Sequence, residues 1–181
     1  WLMRFHVQTT ALNLTAQLSL PNVIDCLIHA LAAVLGGAQS MSVNSFDEAL
    51  AIPTKASATL SLRTQQIIAC ESGVAKVLDP LGGSYCIEAI TNQLEEKAIE
   101  ILEELAAMSP KKVFQHIIDQ GRESGYLRQK AIDDDERPLV GVNRFTSEES
   151  NAKIDLGNVE ILEYDLTWRD KQIERLNKTK K

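Results

Sequence analysis

PNVIDCLIHALAAVLGGAQSMSVNSFDEAL, residues 21–50, is the stretch on which the fold turns. Pro21 stands where a helix can begin, because its fixed φ suits the first turn and its missing N–H has no use there. Ile24, Leu27, Ile28, Leu31 and Leu35 follow at helical spacing until Gly36-Gly37 stops the run. Residues 38–44, AQSMSVN, then read as a short strand. SFDEAL starts a new helical pattern, with Ser45 as N-cap and Glu48 three residues later. Helix, strand and helix in this order suggest one turn of a parallel α/β arrangement.

The reading extends in both directions. Upstream, MRFHVQT at residues 3–9 alternates as a strand does, with His6 and Gln8 on one face and Phe5 and Val7 on the other. Trp1-Leu2-Met3-Arg4-Phe5 reads like the inside of an element, so further protein is expected before it. Downstream, Ala56–Ser72 is helical, with Leu60, Ile67 and Ile68 on one side and Gly73 placed to cap it. Val74–Leu78 reads as a third strand, and Asp79-Pro80-Leu81-Gly82-Gly83 as a turn. A long helix follows, with Ile87, Ile90, Leu94, Ile101 and Leu105 as its expected buried stripe. Ser109-Pro110 opens another helix, expected to end near Gly121. Beyond Asp133-Asp134-Asp135-Glu136, Leu139–Asn143 is a further strand candidate, and a polar, linker-like stretch leads to a last basic helix around Trp168–Leu176. A closed eight-stranded α/β barrel takes ~250 residues, so either the fold is open or this is a piece of a barrel.

Composition sets bounds. The 181 residues are 44% apolar and 24% charged, which suits a soluble globular chain with a core. A net charge of −6 argues against a nucleic-acid surface, and Lys178, Lys180 and Lys181 read as a solvated tail. No apolar run reaches the ~20 residues of a membrane span, so no membrane partner is expected. Cys26, Cys70 and Cys86 show no CxxC spacing, which favours a reducing compartment. Cys26 and Cys70 fall within apolar helical patterns and are read as buried small hydrophobes.

The chemistry is sparse. No phosphate-loop, dinucleotide, zinc-protease or serine-hydrolase signature occurs, and His6, His29 and His116 are too scattered to form a metal site. Glu95, Glu96, Glu100, Glu103 and Glu104 read as the solvated face of the long helix, and Gly82-Gly83-Ser84 as a turn in preference to a phosphate cradle. Two clusters stand out. Arg4, His6 and Gln8 alternate along one strand face and project together, while Asn44 ends a strand one helical turn before Glu48. The second pair can meet at the C-terminal mouth of its strand, the end where parallel α/β barrels place their sites.

At these same residues the chain resembles a known family. FHVQTT at 5–10 with LTAQ at 14–17 resembles the FHxQTSG…LTAQ segment of methylmalonyl-CoA mutases. GGAQSMSVNSFDEALAIPT at 36–54 resembles their GGxQSxHTNxxDEAxxLPT, and RTQQIIACESGVAKVLDPLGGSYCIE at 63–88 their RTQQIIxxESGVxxxxDPLGGSYxVE. PLVGVNRF at 138–145 and QIERL at 172–176 continue the series in order. Three departures accompany it: Thr9-Thr10-Ala11 where the family has TSG, Ser42-Val43-Asn44 where it has HTN, and a shorter stretch from Met108 to Arg137.

The resemblance implies an α/β fold, a second-half fragment of a (β/α)8 TIM barrel over residues 1–143, followed by a C-terminal linker and helix over 144–181. It implies a radical carbon-skeleton isomerisation of an acyl-CoA, of the methylmalonyl-CoA to succinyl-CoA type, with adenosylcobalamin as cofactor. By motif position, Gln8, Ala11, Asn44, Glu48 and Ala51 would contact the cofactor, Glu48 at the adenosyl ribose hydroxyls. Arg4, Gln8 and Gln39 would face the substrate, with His6 and Gln8 in support of catalysis. The family's catalytic tyrosine, histidine and arginines from earlier strands, and its DxHxxG cobalamin signature, have no counterpart in these residues. The implied partners are therefore the remainder of the barrel, a cobalamin-binding domain or subunit, and a second copy in a dimer. The chain by itself is expected to be inactive, in the cytoplasm or, in a eukaryote, the mitochondrial matrix. A second implied role is that of a non-catalytic small subunit of a heterodimeric mutase, used for dimerisation.

Overall fold

The computed structural model describes residues 3–17, 19–146, 162, 165 and 167–180. Two short strands, β1 (His6–Gln8) and β2 (Ser40–Ser42), lie parallel with His6 opposite Ser40, Val7 opposite Met41 and Gln8 opposite Ser42. Parallel strands need a crossover, and α1 (Asn22–Leu35) supplies it. The helix stops where the sequence says it should, with the amides of Gly36 and Gly37 returning to the carbonyls of Ala32 and Val34 and Gly37 at φ 78°. α2 (Lys55–Cys70) follows β2 and begins at Thr54, whose hydroxyl accepts from the Ser57 amide.

Leu14, Cys26, Ala30, Val43 and Ile68 form the core, with Leu31, Val34, Met41 and Val74 against it. This core takes one side chain from the loop after β1, two from α1, one from the end of β2 and one from α2. The burial therefore holds the C-terminal ends of both strands in place relative to the two helices.

The remaining helices are long and open. α3 (Tyr85–Ala106) has no buried residue, and α4 (Pro110–Asp133) buries Ile132 alone. The expected stripe of α3 is uncovered: Leu94 is 63% exposed, and Ile87, Ile90 and Ile101 are exposed as well. Of the stripe, Leu105 is half-buried and Ile87 borders a cleft with Val34, Leu35 and Val77, so its apolar periodicity is present with little to cover it. A last helix, α5 (Thr167–Thr179), is exposed along its described residues.

Several expectations are corrected. Val74–Leu78 is no strand: Val74–Lys76 forms a 3-10 turn behind Gly73 at φ 78°, and the extended Val77 has no strand beside it among the described residues. Leu139–Asn143 is a turn with a single bridge from Val140 to Arg144, because the Asn143 side chain folds back to accept from the Leu139 amide and donate to the carbonyls of Ile132 and Arg137. Ser45 caps no helix, since residues 46–50 are turns and the helix waits until after Pro53. α4 runs through Gly121, and Cys70 is exposed rather than buried. What stands is a mixed α/β chain with a small parallel sheet.

Candidate functional site

The C-terminal ends of β1 and β2 are bound to each other beyond the strands. The Thr9 amide donates to the Ser42 carbonyl at 3.0 Å, and the Thr9 hydroxyl accepts from the Asn44 amide at 2.9 Å. Thr9 and Asn44 are both buried, so these bonds are shielded from competing water. The Gln8 side-chain amide donates to Asn44 Oδ1 at 3.1 Å, and the Asn44 carbonyl accepts from the Ser61 hydroxyl of α2 at 3.2 Å. Asn44 is thereby held from three sides, by β1, by its own strand and by α2.

At this end opens a cleft of about 460 Å³ lined by Gln8, Ser42, Val43, Asn44, Ser45, Glu48, Ala51, Ile52 and Pro53. The turn at 46–51 supplies the acidic wall. The Leu50 and Ala51 amides donate to the Asp47 carbonyl, and the Glu48 amide to that of Ser45, which fixes the backbone under Glu48. Its carboxylate is exposed and makes no hydrogen bond or ion pair among the described residues. A charged acceptor, two carboxamides and two serine hydroxyls around a small apolar floor suit a polyhydroxylated, uncharged ligand group.

The structure thus brings together Gln8, Asn44, Glu48 and Ala51. It leaves Arg4, His6, Ala11 and Gln39 outside the lining of that cleft. Gln39 sits at the opposite end of β2, accepting from the Phe5 amide at 2.9 Å and donating to the Gly37 carbonyl at 2.8 Å. His6 Nδ1 lies 2.8 Å from the Ser40 hydroxyl, and Arg4 and Ala11 are exposed. Sequence reasoning missed Ser45, Ile52 and Pro53 on the rim and Thr9 and Ser61 behind it. The signal is there for the rim residues, which flank Glu48 in one stretch, and for Thr9, which follows Gln8 within the same motif; Ser61 acts from another element and leaves none.

Two further features bear on chemistry. Burial, reinforced by the charges of Asp25 and Glu48, pushes the Cys26 thiol from 9.0 up to about 11, so it is a protonated core group. At the head of α3 the Gly83 amide donates to Glu88 at 2.8 Å, so the glycine turn is capped by its own helix. Among the described residues no group of three or more histidine, cysteine, aspartate or glutamate side chains could hold a metal ion. No helix among them is long and apolar enough to cross a membrane.

Comparison with known proteins covers the whole chain. The methylmalonyl-CoA mutase family model matches residues 1–181. The 2-hydroxyisobutanoyl-CoA mutase large subunit of Aquincola tertiaricarbonis is 44% identical over 98% of this chain and 31% of its own length. Human mitochondrial methylmalonyl-CoA mutase is 42% identical over 99% of this chain and 24% of its own, and the Rhizobium meliloti methylmalonyl-CoA mutase is 37% identical over 99% and 25%. The chain therefore spans 24–31% of the length of these curated relatives. With the motifs in order and the family model matched from end to end, this chain belongs to the methylmalonyl-CoA mutase family.

Proposed function

We propose that residues 1–143 are a second-half piece of the (β/α)8 barrel of an adenosylcobalamin-dependent acyl-CoA mutase, and residues 144–181 its C-terminal linker and helix. The observation that carries this reading is the convergence of Gln8, Asn44, Glu48 and Ala51 on one cleft at the C-terminal ends of two parallel strands. Parallel α/β barrels use that end for chemistry. The exposed apolar faces of α3 and α4, with Leu94 at 63% and Phe114 at 69%, support a partner in the remainder of the barrel. A cobalamin-binding domain or subunit, an acyl-CoA substrate and assembly as a dimer belong to the same proposal.

The residues present fit the adenosyl group. The free Glu48 carboxylate is suited to accept from two ribose hydroxyls, and the linked amides of Gln8 and Asn44 offer the remaining donors and acceptors for a nucleoside edge. Ala51 is small enough to allow a flat macrocycle near the rim. When bound, adenosylcobalamin supplies a cobalt–carbon bond that breaks homolytically and starts the rearrangement. The work of this chain is to orient the nucleoside, through Glu48, Gln8 and Asn44, and to keep that geometry fixed through Thr9 and Ser61. In the same proposal Arg4, Gln8 and Gln39 face the substrate, His6 and Gln8 support catalysis and Ala11 contacts the cofactor, with Arg4, His6, Ala11 and Gln39 acting from outside the lining of the cleft. Among the relatives, the 44% identical protein is a large subunit, which favours this role over a non-catalytic small subunit.

Titration of the assembled enzyme with adenosylcobalamin tests the reading. Saturable perturbation of the corrin absorption is expected, and Glu48→Gln is expected to weaken it roughly 10–100-fold through the loss of charged hydrogen bonds. No spectral change at any cofactor concentration, with the enzyme folded, overturns it.

A further inference from the structure

Asn22 is 1% exposed, one of the most buried side chains among the described residues, and it is polar. A buried carboxamide is costly unless its groups are bonded, and here they are. Its Oδ1 accepts from the Thr15 amide at 3.0 Å, and its Nδ2 donates to the Thr15 carbonyl at 2.9 Å and the Phe46 carbonyl at 2.8 Å. Thr15 belongs to the loop that leaves β1 and carries Ala11. Phe46 belongs to the turn that leaves β2 and carries Glu48 and Ala51.

We propose that Asn22 is a positioning residue that sets the spacing between these two loops and so the place of Glu48 at the rim. The inference rests on the cobalamin reading for its purpose. Asn22 does not line the cleft, so it acts through the backbone of its neighbours rather than by touching a ligand. The strand ends are tied at the sheet by Thr9 and, among the hydrogen bonds of the described residues, the loops beyond are bridged by this side chain, anchored in the first turn of α1. Three bonds from one buried anchor make the two loops move together, because neither can shift without breaking at least one of them.

Asn22→Asp keeps the size and the acceptor for the Thr15 amide but loses both donations. In the assembled enzyme, hydrogen exchange of the 45–51 turn is expected to quicken by about tenfold for the lost donation to the Phe46 carbonyl, with α3 and α4 unchanged. Adenosylcobalamin affinity is expected to fall about tenfold, and this fall is expected to vanish in a Glu48→Ala background. Asn22→Ser, which keeps at most one of the three bonds, carries the same expectations if Asn22→Asp does not fold. Unchanged exchange at 45–51, or an affinity loss that adds fully to that of Glu48→Ala, overturns the proposal. The exchange readout needs no cofactor, so failure of the cobalamin reading shows separately, as absence of binding by the unsubstituted enzyme.

Discussion

Cys26 shows how a single residue reports on the core beneath the rim. Its thiol lies above its ordinary range because burial disfavours the thiolate, with Asp25 and Glu48 adding negative charge nearby. The folded pKa, about 11, exceeds the reference 9.0, so the folded state holds this proton more tightly than the unfolded one. Its contribution to stability is complete below pH 9 and is lost as pH rises through about 11. Denaturant unfolding across that window is expected to show an alkaline loss that Cys26→Ala reduces by roughly 1–3 kcal/mol, since each tenfold change in proton affinity is worth about 1.4 kcal/mol. Equal pH dependence in the two proteins contradicts it. The exposed Cys70 and Cys86 are expected to alkylate first in either case. At this scale Asn44 and Glu48 are legible from their spacing at a strand end, although the backbone between them is a turn and not the expected helix, while Gln8 and Ala51 join them only through the family resemblance. Asn22 was not legible, since a polar residue at the start of a helix reads as surface unless its bonds to Thr15 and Phe46 are known. Cys70 misled for the complementary reason: helical periodicity says which face a residue is on, not whether anything covers that face.

Among the elements, α1 and α3 follow from apolar spacing and their glycine or serine boundaries, and they are where the spacing puts them. The two misread strands, 74–78 and 139–143, failed because a strand needs a neighbour. Short apolar runs bounded by glycine fold as turns when no adjacent backbone is present, as Gly73 and Gly141 at φ 78° show. Helix α4 erred in the other direction, for it continues through Gly121 and Gly125 where a stop was expected at the first. A Cβ at either position meets nothing within 4 Å. Gly121→Ala and Gly125→Ala are therefore each expected to raise stability by about 0.5–1 kcal/mol, mainly by restricting the unfolded chain. Thermal unfolding checks this, and a lowered midpoint for both substitutions speaks against an uninterrupted helix.

At the scale of the molecule, the two-stranded sheet and five-residue core cluster found among the described residues are small beside long helices with exposed apolar stripes. Two strands alone are marginal in water, so the chain is expected to depend on further protein for its stability. The 181 residues by themselves are expected to bind a hydrophobic dye and to associate as concentration rises, and to lose both properties when the remainder of the barrel is supplied. A monomer with one cooperative melt and no dye binding contradicts that dependence. The most direct test of the central claim is a crystal structure of the assembled enzyme with adenosylcobalamin. The expected result is a Glu48 carboxylate oxygen within roughly 2.5–3.2 Å of a ribose hydroxyl, with Gln8 and Asn44 at the same nucleoside. A nucleoside bound away from these three side chains contradicts it.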